Sequence, residues 1–293
     1  MKLRIHHRTE YRFDAPVAVG PQTLRLRPRE DPWTRVLDHR LALDPEAPLR
    51  WTEDAWGNAA AIWEIRGPVD RYSVVSSAVV DSGERNPFDF ILEMRAQRFP
   101  VAWTPEEEKT FARCLDPGAI SGAGRLNLLS FARECARNGG DRPLEFLTTI
   151  NRTINADFRF VPGSTTVSTP PDEVLARREG VCQDFTNVLL ACARLMGLPA
   201  RYVSGYVYVG PPSPARITAS HAWAQVYLPG AGWLGLDPAN GSLACDTHVA
   251  AATGYAYDDV CPVSGSYFGP SRLHQLDVEV RVEAMEGSHA LPG

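Results

Sequence analysis

Lysine is almost missing from this chain. Lys2 and Lys109 are the only two, and arginine carries the rest of the basic charge. The protein therefore offers few amines for cross-linking to itself. Long apolar runs are missing too. No stretch approaches the ~20 residues of a membrane span, and Met1-Lys2-Leu3-Arg4-Ile5-His6-His7-Arg8 has no apolar core of signal-peptide length. The expectation is a cytoplasmic protein with no membrane partner. A basic face is absent as well: the net charge is −5, with acids and bases spread along the chain, which argues against a nucleic-acid partner. None of the six cysteines (114, 135, 182, 192, 245 and 261) forms a Cys-x-x-Cys pair. That argues against zinc ribbons and thioredoxin-like redox chemistry and favours reduced thiols. There is no Gly-x-Ser-x-Gly elbow, no P-loop lysine pattern and no His-Glu-x-x-His.

What is present divides into two regions, as 293 residues would suggest. Residues 1–100 read as a β-sandwich-like domain of short strands. Leu3, Ile5 and His7 alternate, later strands cover 39–43, 60–65 and 72–76, and Asp44-Pro45, Trp56-Gly57-Asn58 and Gly67-Pro68 mark turns. His6 and His7 are neighbours, so a strand points them to opposite faces and they cannot share a metal. Residues 101–270 read as a second, mixed unit of helices followed by a β meander, giving an α+β protein. Thr104-Pro105-Glu106-Glu107-Glu108 opens a helix with an N-cap, a proline and first-turn acids. Further helices are expected over 126–138, 141–155 and 172–177. A strand and tail at 271–293, with Leu276 to Val282 alternating, can return to the N-terminal sheet.

The chemistry centres on Arg178-Glu179-Gly180-Val181-Cys182-Gln183-Asp184-Phe185. A glycine turn is expected to deliver Cys182 to the start of a helix running to Met196. Phe185, Val188, Leu189, Cys192, Leu195 and Met196 form its buried stripe. Mid-stripe, Cys192 is a small hydrophobe and inert. At the helix mouth, unpaired N–H groups and partial positive charge favour a thiolate, the nucleophilic form. Gly180 and the partners downstream favour that role over a merely structural Cys182.

A base and its orienter follow. Strands are expected at 201–209, 221–228 and 234–237, with a proline-rich loop at 211–214 and a turn at 229–232. In the second strand His221, Trp223, Gln225 and Tyr227 share the more polar face, and Ala222, Ala224, Val226 and Leu228 suit a core. Asp237 ends the next strand. With a four-residue loop it would face away from His221. An odd loop, 229–231, sets it opposite Trp223 and diagonal to His221, about 7–8 Å apart at the backbone and within side-chain reach. The expected catalytic set is therefore Cys182 as nucleophile, His221 as base and Asp237 as orienter. The Cys182 N–H is the first oxyanion donor; Gln183 and Tyr206 are candidates for the second. Asp184 is assigned only to the helix's first turn. Gly230-Ala231-Gly232-Trp233-Leu234-Gly235 fits G-x-G-x-x-G, but a strand rather than a helix follows it, which removes the dinucleotide reading.

Gly180-Val181-Cys182-Gln183-Asp184-Phe185, Ser220-His221-Ala222-Trp223 and Leu236-Asp237-Pro238 resemble the transglutaminase-like superfamily, in its bacterial, cysteine-protease-like branch. Tyr11-Arg12-Phe13, Leu24 to Arg29 and Trp56-Gly57-Asn58 look like that branch's N-terminal β region, and Tyr255 to Gly269 looks like its tail. The resemblance implies a papain-like α+β core, helices packed on an antiparallel sheet, with a Cys-His-Asp triad and no metal or other cofactor. It implies a thiol-dependent hydrolase of peptide or side-chain amide bonds acting on a protein or peptide substrate. The alternatives are an acyltransferase passing the thioester to an amine, and a catalytically silent peptide-binding module. Two departures favour hydrolysis over cross-linking: Gln183 stands where the animal cross-linking enzymes have tryptophan, and there is no acidic loop of calcium-site type. A third departure, the weakly polar tail Gly254-Tyr255-Ala256-Tyr257, bears on substrate choice. Oligomeric state is left open.

Overall fold

The computed structural model describes residues 1–210, 220–269 and 271–285. The expected proline-rich loop at 211–214 and the end of the tail lie outside them.

The first strand, Lys2–Val19, organises the N-terminal region. Its inward side chains Leu3, Ile5 and His7 are buried in strict alternation. On one side it pairs antiparallel with Pro68–Ser82, which in turn pairs with Thr34–Asp44. On the other it pairs with Leu273–Ala284, Leu3 opposite Ala284 and His7 opposite Val280, and then with Tyr267–Phe268. A second sheet runs Val263–Ser264, Gln22–Leu24, Ala59–Trp63, Leu49–Glu53. Trp63, Tyr72, Leu24 and Leu26 fill the space between the two.

The second region is helical first. The helix Pro105–Leu115 starts at the expected N-cap, Thr104, which also closes a capping box with Glu107. Gly122–Asn138 starts a turn earlier than the sequence suggested because Ser121 caps it, accepting from the Gly124 N–H at 3.1 Å. Pro143–Asp157 and Pro171–Arg177 follow. These helices surround Cys182–Leu195, which is buried on nearly every side. Phe185, Val188 and Leu189 are fully enclosed, each contributing roughly 1.5–3 kcal/mol by burial.

That helix lies on an antiparallel sheet ordered Ser242–Leu243, Gly232–Asp237, His221–Leu228, Ala200–Val207, His248–Gly254. Ala222, Ala224, Val226 and Leu228 face the helices, as the alternation required. The opposite face is less open than its polar residues suggested: Trp223 is 2% exposed, packed with Val203, Val207 and Ala244. Gly205 and Gly235 flank it, and a Cβ on Gly205 would strike its indole ring. The missing side chain of Gly205 thus makes room for the indole, while that of Gly235 makes room for Ala244 beside it. The strand His248–Gly254 comes in addition to the three strands the sequence suggested. His-Val-Ala-Ala-Ala-Thr-Gly shows no alternation, and both its faces are covered.

Candidate active site

Cys182 opens its helix at the first position, after Val181 as N-cap. The cap is built by Asp184, whose carboxylate accepts from the Val181 N–H at 2.8 Å and from the Thr165 hydroxyl at 2.6 Å. Asp184 is wholly buried. The glycine before the cysteine acts differently from the expected turn. Gly180 is extended and paired in a short parallel ladder with Phe160. What requires glycine is space: a Cβ there would stand 2.7 Å from the Asp184 Cβ and 2.8 Å from its carboxylate. The sequence Gly-x-Cys-x-Asp is therefore one device, in which a missing side chain lets the capping carboxylate hold the turn that presents Cys182.

The hairpin carrying the other two residues has a three-residue loop, 229–231. Leu228 faces Gly232, and Ala224 faces Leu236. This register turns Asp237 to the same face as His221, and His221 Nε2 donates to Asp237 Oδ2 at 2.7 Å. Since Nε2 is committed to the carboxylate, Nδ1 is the ring nitrogen left for the thiol. Burial pulls the His221 pKa down. The Asp237 hydrogen bond and then the Cys182 sulfur outweigh it, lifting the ring to about 10. Cys182 and His221 line one cleft of about 620 Å³.

Asp237 has no exposed surface and is held by more than its histidine. Oδ1 accepts from the backbone N–H groups of Ala239 (3.1 Å) and Asn240 (3.2 Å). Oδ2 also accepts from the Asn240 side chain (2.7 Å) and from His248 Nε2 (3.1 Å). Burial alone would raise this carboxyl; the two histidines overcome it and hold the pKa far below the ordinary range. Trp223 packs against both rings, near-parallel to His221 and edge-on to His248.

The structure thus brings together all three residues expected from sequence and adds two. Asn240 could have been suspected, since an aspartate that ends a strand before proline commonly binds backbone two or three residues on. His248 had no local signal; it arrives on a strand beyond the three the sequence suggested. Of the two candidates for the second oxyanion donor, Gln183 lines the cleft. Tyr206 does not. Its ring is buried against the first strand, where its hydroxyl meets His7 Nδ1 at 3.1 Å and donates to the Leu26 carbonyl. Tyr202, four residues earlier, reaches the cleft instead. Among the described residues no group of His, Cys, Asp and Glu could hold a metal ion, and no helix is long and apolar enough to cross a membrane.

A cysteine on a helix mouth, sharing a cleft with a hydrogen-bonded histidine–aspartate pair on a sheet, is the layout of papain-like thiol enzymes and their transglutaminase-like kin. The comparisons agree. Residues 3–81 match the bacterial transglutaminase-like N-terminal region, and residues 130–238 match the transglutaminase-like superfamily. An uncharacterized protein of Mycobacterium tuberculosis is 35% identical across 98% of this chain and 94% of its own length. The protein belongs to the transglutaminase-like superfamily. The protein-glutamine gamma-glutamyltransferase of Pseudomonas aeruginosa is 26% identical over 73% of this chain, which spans only 36% of that relative. A solved structure from Cytophaga hutchinsonii, proposed there to be a cysteine protease, shares the fold with a TM-score of 0.73. It is 20% identical and covers all of this chain and 94% of its own.

Proposed function

We propose that the protein is a thiol-dependent hydrolase that cleaves a peptide or side-chain amide bond through a Cys182 thioester. The observation that carries this is the 2.7 Å bond from His221 to a buried Asp237, beside a cysteine at a helix mouth in the same cleft. In this reading Cys182 attacks the carbonyl carbon, and the Cys182 N–H stabilises the oxyanion. The His221 imidazolium protonates the leaving amine, releasing it and leaving the thioester. Water, deprotonated by the now neutral imidazole, then hydrolyses the thioester. Asp237 fixes the ring and supports its cation throughout.

The cleft wall supports an uncharged acyl group. Phe160, Val181, Val207, Ala222 and Tyr257 line it, and among the described residues its lining has no Asp, Glu, Lys or Arg. A second reading, transfer of the acyl group to an amine, is favoured by the likeness to the Pseudomonas gamma-glutamyltransferase. The two readings share every step up to the thioester.

A Cys182→Ala protein incubated with a peptide library, its retained peptides read by mass spectrometry, identifies the substrate. Turnover of that substrate by the native protein, with excess primary amine, then decides the acceptor. Release of free acid with less than a tenth amine adduct, roughly 1.4 kcal/mol in favour of water, supports the hydrolase. Predominant amide product overturns it.

A further inference from the structure

Asp237 serves two cysteine–histidine pairs, and only one of them opens into the cleft. His248 Nε2 is committed to Asp237 Oδ2 at 3.1 Å, in the same sense as His221 Nε2. Its Nδ1 therefore faces the turn Cys245-Asp246-Thr247. There Thr247 Oγ1 lies 3.1 Å from Nδ1 and 3.6 Å from the Cys245 sulfur. The Thr247 hydroxyl thus joins the Cys245 thiol to the ring, and the histidine draws the thiol's pKa below the usual range against the effect of burial. Burial has the opposite outcome at the other shifted thiols. It pushes Cys135 up to about 11 and raises Cys114 and Cys192 as well.

Cys245 opens into its own cavity of about 490 Å³, and no residue lining it also lines the Cys182 cleft. Arg85, Phe88, Thr148, Asn151 and Ser242 form its walls. Asn151 is the independent sign that this space takes a ligand. It is 2% exposed, its side-chain nitrogen donates to the Ser242 carbonyl at 3.0 Å, and its Oδ1 has no partner among the described residues. A buried acceptor left unpaired is unfavourable, and a ligand's hydroxyl or amide N–H would give it a donor.

We propose that Cys245 is a second reactive thiol, a modification site that exchanges with small disulfides whose arm carries a hydrogen-bond donor. His248 Nδ1 takes the Cys245 proton through the Thr247 hydroxyl that touches both. The sulfur attacks one sulfur of the disulfide, a new S–S bond joins Cys245 to that arm, and the old S–S bond breaks. The departing sulfur leaves as a thiolate and takes the proton from His248. The disulfide itself is the oxidant, and one small thiol is released for each adduct formed.

The test uses the full chain carrying Cys182→Ala, so its result is independent of the function proposed for the cleft. The probe is bis(2-hydroxyethyl) disulfide at pH 7, with adducts mapped by non-reducing mass spectrometry. Cys261 is the internal comparison, half-buried like Cys245, with its sulfur on the Val263 carbonyl rather than on a hydroxyl that touches a histidine. The adduct is expected on Cys245 at least about tenfold faster than on Cys261, in line with the dependence of exchange on thiolate fraction. The excess disappears in His248→Gln. Equal rates at the two cysteines, or an excess that survives in folded His248→Gln, overturn the proposal. Diethyl disulfide, which lacks the donor, is expected to react several-fold more slowly at Cys245 and needs no further variant. Equal rates with the two disulfides overturn the role of Asn151 and with it the ligand class.

Discussion

Asp237→Asn is the substitution whose outcome the geometry constrains most tightly. The carboxylate takes two backbone N–H groups on Oδ1 and three side-chain donors on Oδ2. An amide has only one accepting oxygen. If that oxygen keeps the backbone pair, the amide nitrogen points at both histidines, and each can answer only by moving its proton to Nδ1. His221 then presents N–H rather than a lone pair to Cys182, the wrong tautomer for a base. If the amide is reversed, two backbone N–H groups go unpaired, at about 1–3 kcal/mol each. The imidazolium also loses its main support. His221 stands at about 10 because Asp237, and after it Cys182, outweigh burial. Without the carboxylate, burial dominates and the ring should titrate below its ordinary 6.5. Each pKa unit is about 1.4 kcal/mol of lost support for the cation, so thioester formation is expected to slow by roughly 10³–10⁴-fold. The measurement is a titration of the histidine ring nitrogens by NMR. In the native protein the His221 ring remains protonated beyond pH 8; in Asp237→Asn it is neutral at pH 7 with the proton on Nδ1. A ring still protonated at pH 8 in the variant would refute the reasoning, whatever happened to turnover.

Two further outcomes test how the site and the scaffold are held. Gly180→Ala forces a Cβ against the Asp184 carboxylate and is expected to cost about 1–3 kcal/mol of stability, read as a lower urea midpoint, with slower alkylation of Cys182 in the folded protein. Asp184→Ala would lose the cap but keep the space, so the double variant should cost less than the sum of the singles; strict additivity would exclude a clash between these two positions. His7 is 1% exposed and burial depresses its pKa to about 4. The unfolded chain, near 6.5, therefore binds a proton that the native state refuses. Stability should fall by up to about 3 kcal/mol as pH drops from 6.5 through 4, and His7→Gln should flatten that slope in urea titrations; an unchanged slope would place the acid sensitivity elsewhere.

The residues that sequence could reach were those whose meaning is local or periodic. Cys182 at the head of an apolar stripe, and His221 and Asp237 one hairpin apart, are such cases: strand parity alone demanded a loop of odd length if the two were to meet. Gly180 was noticed for the wrong reason, since a glycine before a helix suggests a turn, and only coordinates reveal the carboxylate that needs its empty side. Trp223 looked like part of a polar face because its cover comes from elsewhere, between two glycines of neighbouring strands. His248 was invisible for a third reason. Its strand is Ala-rich and covered on both faces, so it has no alternation to read, and its partner Asp237 sits across the sheet.

The strand Leu273–Ala284 has a consequence for how the protein is made. It sits beside the very first strand, so Leu3 must find Ala284, a partner the ribosome delivers only after the helices and meander have emerged. Local pairings form early and distant ones late. Val282 of this late strand also lines the Cys182 cleft. During synthesis, then, the cysteine and its histidine can come together while one wall of their cleft is still being translated, so the shape that meets a substrate is completed after the chemistry that would attack it.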